Sequence, residues 1–154
     1  MDEDSQKRFM TLALLEGRKA LPDCIPNPPV GCVLVREGRV IATGYTNPPG
    51  KPHAEAMALS QVAGELRDVI AFVTLEPCSF QGRTPSCALE LVSRKIGRVF
   101  VAMLDPDPRN NGAGVLILRQ TGIEVSVGLL ADQALEDLRP HLARPDNVVS
   151  DSRA

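Results

Sequence analysis

From position 69 the chain reads Val69-Ile70-Ala71-Phe72-Val73-Thr74-Leu75-Glu76-Pro77-Cys78, an almost continuous apolar run that stops abruptly at Glu76-Pro77-Cys78. A strand with apolar side chains on both faces needs cover on both faces, which points to a sheet sandwiched between helices. Upstream, Val30 to Val35 and Arg39 to Tyr45 are β-rich runs separated by Arg36-Glu37-Gly38 and read as a hairpin. Before them, Phe9, Met10, Ala13 and Leu14 fall at helical spacing within Gln6 to Ala20, and the prolines from Pro22 onward end that helix. After the breaker Asn47-Pro48-Pro49-Gly50-Lys51-Pro52, a helix is predicted from His53 to about Ala63.

Downstream of Cys78 come a polar loop, Ser79 to Pro85, and a helix from Ser86 to about Lys95 in which Leu89 and Val92 share a side. Arg98 to Leu104 is a second buried strand, followed by a helix at Val115 to Gln120, a strand at Ile123 to Val127 and a helix at Asp132 to Leu142. Beyond the hairpin, strands alternate with helices. The expected architecture is therefore three-layer α/β/α with a mixed, mostly parallel five-stranded sheet. Residues 1–143 are expected to form one domain, and the polar tail 144–154, with Pro145 near its start, is expected to fray.

Composition narrows the function. The chain has 154 residues, which suits one core, and only four Phe, one Tyr and no Trp, so that core must be largely aliphatic. A net charge of −2 supplies no field to gather nucleic acid or anionic lipid. No apolar run approaches the roughly 20 residues of a membrane span, and the acidic start Met1-Asp2-Glu3-Asp4 is unlike a secretory leader. A cytoplasmic, reducing location is the expectation. Cys24, Cys32, Cys78 and Cys87 are then better read as metallic, catalytic or buried than as disulfides.

Open α/β sheets place ligands at the carboxyl ends of their strands. There this sequence delivers His53-Ala54-Glu55, Pro77-Cys78 with Cys87, and Asp105. One imidazole and two thiolates make a tetrahedral zinc set short of one protein ligand, which leaves a position for water, as in catalytic sites. Glu55, two residues after His53, lies close enough to handle that water's proton without being a ligand. His-x-Glu with Pro-Cys and a further Cys is the general signature of zinc-dependent base deaminases. The usual Cys-x-x-Cys is stretched here to eight intervening residues, so Ser79 to Pro85 must loop out and Cys87 must enter near the start of the next helix. Cys32, among Val30, Val33 and Leu34, reads as core. Gly112 and Gly114 resemble a phosphate-cradling turn but more often serve a helix entry. No role is assigned to Cys24, and His141 near the C-terminus is not expected to be catalytic.

The segment Thr74-Leu75-Glu76-Pro77-Cys78-Ser79-Phe80-Gln81-Gly82-Arg83-Thr84-Pro85-Ser86-Cys87 resembles the deaminase domain of riboflavin biosynthesis, a cytidine deaminase-like family acting on a diaminohydroxy-phosphoribosylamino-pyrimidine. Asn27-Pro28-Pro29-Val30-Gly31-Cys32-Val33, Gly50-Lys51-Pro52-His53-Ala54-Glu55 and Asp105-Pro106 with Gly112 and Gly114 extend the resemblance over roughly residues 6–142. It implies a cytidine deaminase-like fold, bound Zn2+, and hydrolysis of a ring amine with ammonia release. It also implies His53, Cys78 and Cys87 as zinc ligands, Glu55 as proton shuttle, Asn27, Arg83, Asp105 and Asp107 as substrate contacts, and a homo-oligomer. Thr46 stands where the family usually has His, Asp107 where it usually has Asn, and Ser86 where it usually has Pro. Many members carry a reductase domain after this one, so a separate reductase protein is an expected partner if the pathway is the same. Two other readings stay open: a deaminase of the same superfamily acting on another small base, nucleoside, nucleotide or tRNA, and a zinc-stabilised interaction module without activity.

Overall fold

The structure, a computed structural model, describes residues 1–82 and 84–142. The expected tail at 144–154 lies outside the described residues. The order is α1 (Glu3–Arg18), β1 (Gly31–Arg36), β2 (Arg39–Tyr45), α2 (Ala54–Leu59), β3 (Val69–Val73), α3 (Cys87–Ser93), β4 (Arg98–Val101), α4 (Ala113–Gln120), β5 (Glu124–Val127) and α5 (Ala131–Leu138), with a 3-10 turn at Arg139–His141. Asp2 caps α1 by accepting the Ser5 N–H at 2.8 Å, which starts the helix at Glu3, three residues before the expected Gln6. β1 and β2 are joined by Glu37 and Gly38, both at positive φ, the geometry that matches the twist of a two-residue hairpin.

The sheet runs β2-β1-β3-β4-β5. β1 is antiparallel to both β2 and β3, whereas β3, β4 and β5 pair in parallel. Four strands therefore point one way, and the lone reversed strand, β1, sits inside the sheet next to β3. This is the expected mixed sheet, with its antiparallel half spread over two pairings rather than confined to an edge. The β3-α3-β4-α4-β5 crossovers place α3 and α4 on the face that carries α2, while α5 docks beside α1 on the other.

Backbone approaches this close need glycine at two points. A Cβ on Gly31 would stand 1.7 Å from the Ala13 carbonyl oxygen of α1, and one on Gly44 would stand 2.1 Å from the Ala54 carbonyl oxygen of α2. On the α1 face, Phe72 stacks on Phe100 at 4.9 Å and tilts against Phe9 at 5.5 Å, so three of the four phenylalanines form one core cluster. Cys32 is fully buried among aliphatic neighbours, as expected of a core residue. On α3, Ala88 and Leu91 are buried and Val92 packs partly buried against the core, while Leu89 is exposed. Among the described residues, no helix is long and apolar enough to cross a membrane.

Candidate metal centre and active site

Three loops at one end of the sheet meet at the site, and each is held by its own backbone. His53 is the N-cap residue of α2, and Glu55 follows in the first turn, buried. After β3 the chain reaches Cys78, and the long loop beyond it closes on itself. Ser86 Oγ donates to the Cys78 carbonyl at 2.8 Å and accepts the Leu89 N–H as cap of α3, while the Ala88 N–H donates to the same carbonyl at 3.1 Å. The Cys87 N–H donates to Cys78 Sγ at 3.2 Å. Cys87 is thus the first residue of α3, which is how eight intervening residues are looped out.

His53 Nδ1 lies 3.4 Å from Cys87 Sγ and 3.9 Å from Cys78 Sγ, and the three ligand atoms all fall within 4.8 Å of one another. A tetrahedral zinc with Zn–N of about 2.0–2.1 Å and Zn–S of about 2.3 Å requires N···S edges of roughly 3.6 Å. The observed distances bracket that value, so the donor set fits zinc. The Cys87 side chain donating to Cys78 holds the Cys78 thiol down to about 5, with His53 adding to the effect, while the same contact and burial push Cys87 well up. Two cysteine sulfurs, one of them with its thiol pKa lowered, beside an imidazole suit a divalent cation. The other ring nitrogen of His53, Nε2, meets Thr84 Oγ1 at 3.2 Å, which fixes the plane of the ring.

Beside this cluster a cleft is lined by Asn27, Pro28, Val30, Thr46, His53, Glu55, Leu75, Glu76, Cys78, Phe80 and Asp105. Glu55 borders both the cleft and the metal ligands. Burial, followed by the charge of Cys78, raises its carboxyl to about 7. Asn27 is 3% exposed, and its Oδ1 has no hydrogen-bond partner among the described residues, an acceptor left for whatever fills the cleft. The Thr46 hydroxyl accepts the Val30 N–H at 3.0 Å and donates to the Pro28 carbonyl at 2.9 Å, so it secures the loop that carries Asn27.

The structure brings His53, Glu55, Cys78 and Cys87 together and sets Asn27 and Asp105 in the cleft wall. It does not bring Asp107 there: Asp107 is fully buried and its carboxylate binds Arg109. Arg83 lies outside the described residues. Sequence reasoning missed three contributors. Thr84 orients His53. Glu76 accepts the Asp105 and Gly112 N–H groups on Oε1, at 3.1 and 2.9 Å, and the Val115 N–H on Oε2 at 3.0 Å, tying β3 to the loop after β4 and to the start of α4. Arg109 lies over the Phe80 ring. Gly112 and Gly114 serve helix entry, with Gly112 in the left-handed region and Gly114 pressed against the Pro77 carbonyl.

Comparison with known proteins agrees with this geometry. Residues 3–103 match the sequence pattern of the cytidine and deoxycytidylate deaminase zinc-binding region. The riboflavin biosynthesis protein RibD of Aquifex aeolicus is 45% identical over 136 residues, 88% of this chain and 38% of that protein. The RibD structure from Acinetobacter baumannii superposes with a TM-score of 0.88 at 39% identity, over 92% of this chain and 40% of that one. A Thermotoga maritima structure described as a diaminohydroxyphosphoribosylaminopyrimidine deaminase/5-amino-6-(5-phosphoribosylamino)uracil reductase superposes with a TM-score of 0.85 at 37% identity, covering 90% and 40%. The chain spans well under half the length of these relatives. With the His-Cys-Cys donor set, the buried Glu55 and a pattern match across about two thirds of its length, the chain belongs to the cytidine and deoxycytidylate deaminase zinc-binding family.

Proposed function

We propose that this protein is a zinc-dependent hydrolase that replaces the exocyclic amine of a pyrimidine-type ring with a carbonyl, consuming water and releasing ammonia, and that its substrate is a diaminohydroxy-phosphoribosylamino-pyrimidine. The observation that carries the reading is Glu55, buried at the junction of the His53, Cys78 and Cys87 cluster and the cleft lined by Asn27, Phe80 and Asp105. When bound, zinc supplies Lewis acidity that brings the pKa of a coordinated water toward neutrality. Glu55 then accepts the proton of the attacking water and returns it to the departing nitrogen. Thr84 keeps the His53 ring aligned. Asn27 and Asp105 hold the ring from the cleft wall: Asn27 Oδ1 accepts from a ring N–H or amine, and Asp105 accepts likewise. Arg83 retains its proposed part as a substrate contact.

The relatives at 37–45% identity support the riboflavin-pathway substrate, and the reduction named for the Thermotoga protein would act on the product, in whichever chain it resides. A net charge of −2 and five aromatic residues argue against a polynucleotide substrate. A cytoplasmic location is supported by four free cysteines, two of them in the metal cluster. Self-association is supported by exposed Leu89 and Leu116 on the packed helices α3 and α4, and sedimentation equilibrium reads it.

The test is ammonia release by the zinc-loaded protein from a panel containing the riboflavin-pathway pyrimidine, cytidine, dCMP, guanine and tRNA. Turnover of the pathway pyrimidine above all others is the expected result. Preferential turnover of another member moves the substrate assignment, and absence of ammonia from every member overturns the reading.

A further inference from the structure

Three of the four phenylalanines belong to the core, and the fourth, Phe80, lines the cleft two residues after Cys78. An aromatic ring at a small-molecule cleft needs something to fix its plane if it is to act as a platform. Here that something is visible. The Arg109 guanidinium sits 4.6 Å from the Phe80 ring centroid, within cation–π range. The guanidinium is itself anchored: Arg109 Nε donates to both Asp107 oxygens, at 3.1 and 3.2 Å, Nη2 donates to Oδ2 at 2.7 Å, and the Arg109 N–H donates to Oδ1 at 3.0 Å. Asp107 is fully buried, so this charge is held by partners rather than by water. A further link runs from Ser79 Oγ to the Arg109 carbonyl at 3.3 Å, joining the loop after β3 to the loop after β4 next to Phe80 itself.

Resting on the cleft as the site of a pyrimidine-type ring, we propose that Asp107 and Arg109 are positioning residues that clamp Phe80 as the stacking wall for that ring. Asp107 thus acts on the substrate through Arg109 and Phe80 instead of touching it. The chemistry favours such a wall. A cation on one face of an aromatic ring withdraws π density, and the polarised ring stacks better on an electron-rich partner, which a pyrimidine bearing amino groups is. Asn at position 107, the residue usual in the resembling family, could accept a hydrogen bond from Arg109 but could not pair its charge.

The test uses the absence of tryptophan from the chain. The Phe80→Trp variant of the zinc-loaded protein places a single indole in the cleft, and acrylamide quenching reads its exposure without any ligand. Adding Asp107→Asn, which keeps the side-chain shape, or Arg109→Met, which keeps the apolar stem, is expected to raise the quenching constant at least twofold. No change with either overturns the clamp. In the background with Phe80 intact, Asp107→Asn is expected to raise KM for the pathway pyrimidine about tenfold with a smaller change in kcat, and to add little once Phe80→Leu is present. A fall in kcat at unchanged KM overturns the positioning role, because it would place Asp107 on the reacting atoms. A KM rise in Arg109→Met without any change in indole exposure also overturns it, because Arg109 would then be touching the substrate directly. Should the unaltered protein release no ammonia, the proposed function fails, while the ligand-free quenching result still decides whether the clamp exists.

Discussion

His53 is held from two sides, by the thiols at Nδ1 and by Thr84 at Nε2. Partners of this second kind orient a metal-bound imidazole, and losing one costs about 10–100-fold in metal affinity. Thr84→Val is therefore expected to weaken zinc binding by that factor in a chelator competition, and Thr84→Ser to restore it. Equal affinity in Thr84→Val would remove Thr84 from the metal centre. The four residues at the centre were legible because their spacing is local chemistry: His53 and Glu55 share a helix start, and Pro77-Cys78 ends a strand. Thr84, Glu76 and Arg109 were not. Each acts on a partner supplied by another loop or element, 31 residues away for Thr84 and His53 and up to 39 for Glu76 and Val115, and no period or motif in the chain marks such pairs.

At the scale of elements, α2 matters most, since its six residues and its cap carry both His53 and Glu55. Its position depends on how closely the helix backbone approaches β2. The Gly44→Ala variant puts a methyl 2.1 Å from the Ala54 carbonyl oxygen, a backbone atom that moves only with the helix. Such overpacking costs about 1–3 kcal/mol. We expect Gly44→Ala to lower urea stability by about that amount and to loosen zinc more than Gly38→Ala, whose strain at φ 75° is confined to the β1–β2 turn and whose Cβ meets nothing within 4 Å. Equal zinc affinity in the two variants would mean that α2 is free to shift. The strand and helix order was readable from apolar runs and breakers. The sheet order was only partly so: a hairpin followed by β-α units fixes the parallel pairs, but nothing local states that β1 inserts between β2 and β3. Which face of α3 is buried was not readable from its apolar spacing: Cys87, Ala88 and Leu91 are buried while Leu89 is exposed.

For the whole molecule, the metal centre fastens three separate segments of chain at one end of the sheet, so binding and folding are linked. Zinc held at about 1,000 times its Kd stabilises the native state by about 4 kcal/mol, which for a domain of this size corresponds to roughly 8–16 °C in Tm. Thermal unfolding with and without a chelator should show a shift of that order, and coincident transitions would detach the metal from the fold. The scarcity of aromatic residues takes its meaning at this scale: three phenylalanines make the core beneath α1, and the remaining one stands in the cleft. In the proposed reaction Glu55 moves protons beside a bound zinc. That role is tested most directly by measuring zinc content and ammonia release of Glu55→Gln on the pathway pyrimidine. One zinc per chain and a rate at least about 100-fold below that of the unaltered protein are expected. Full zinc occupancy with an unchanged rate would contradict that role.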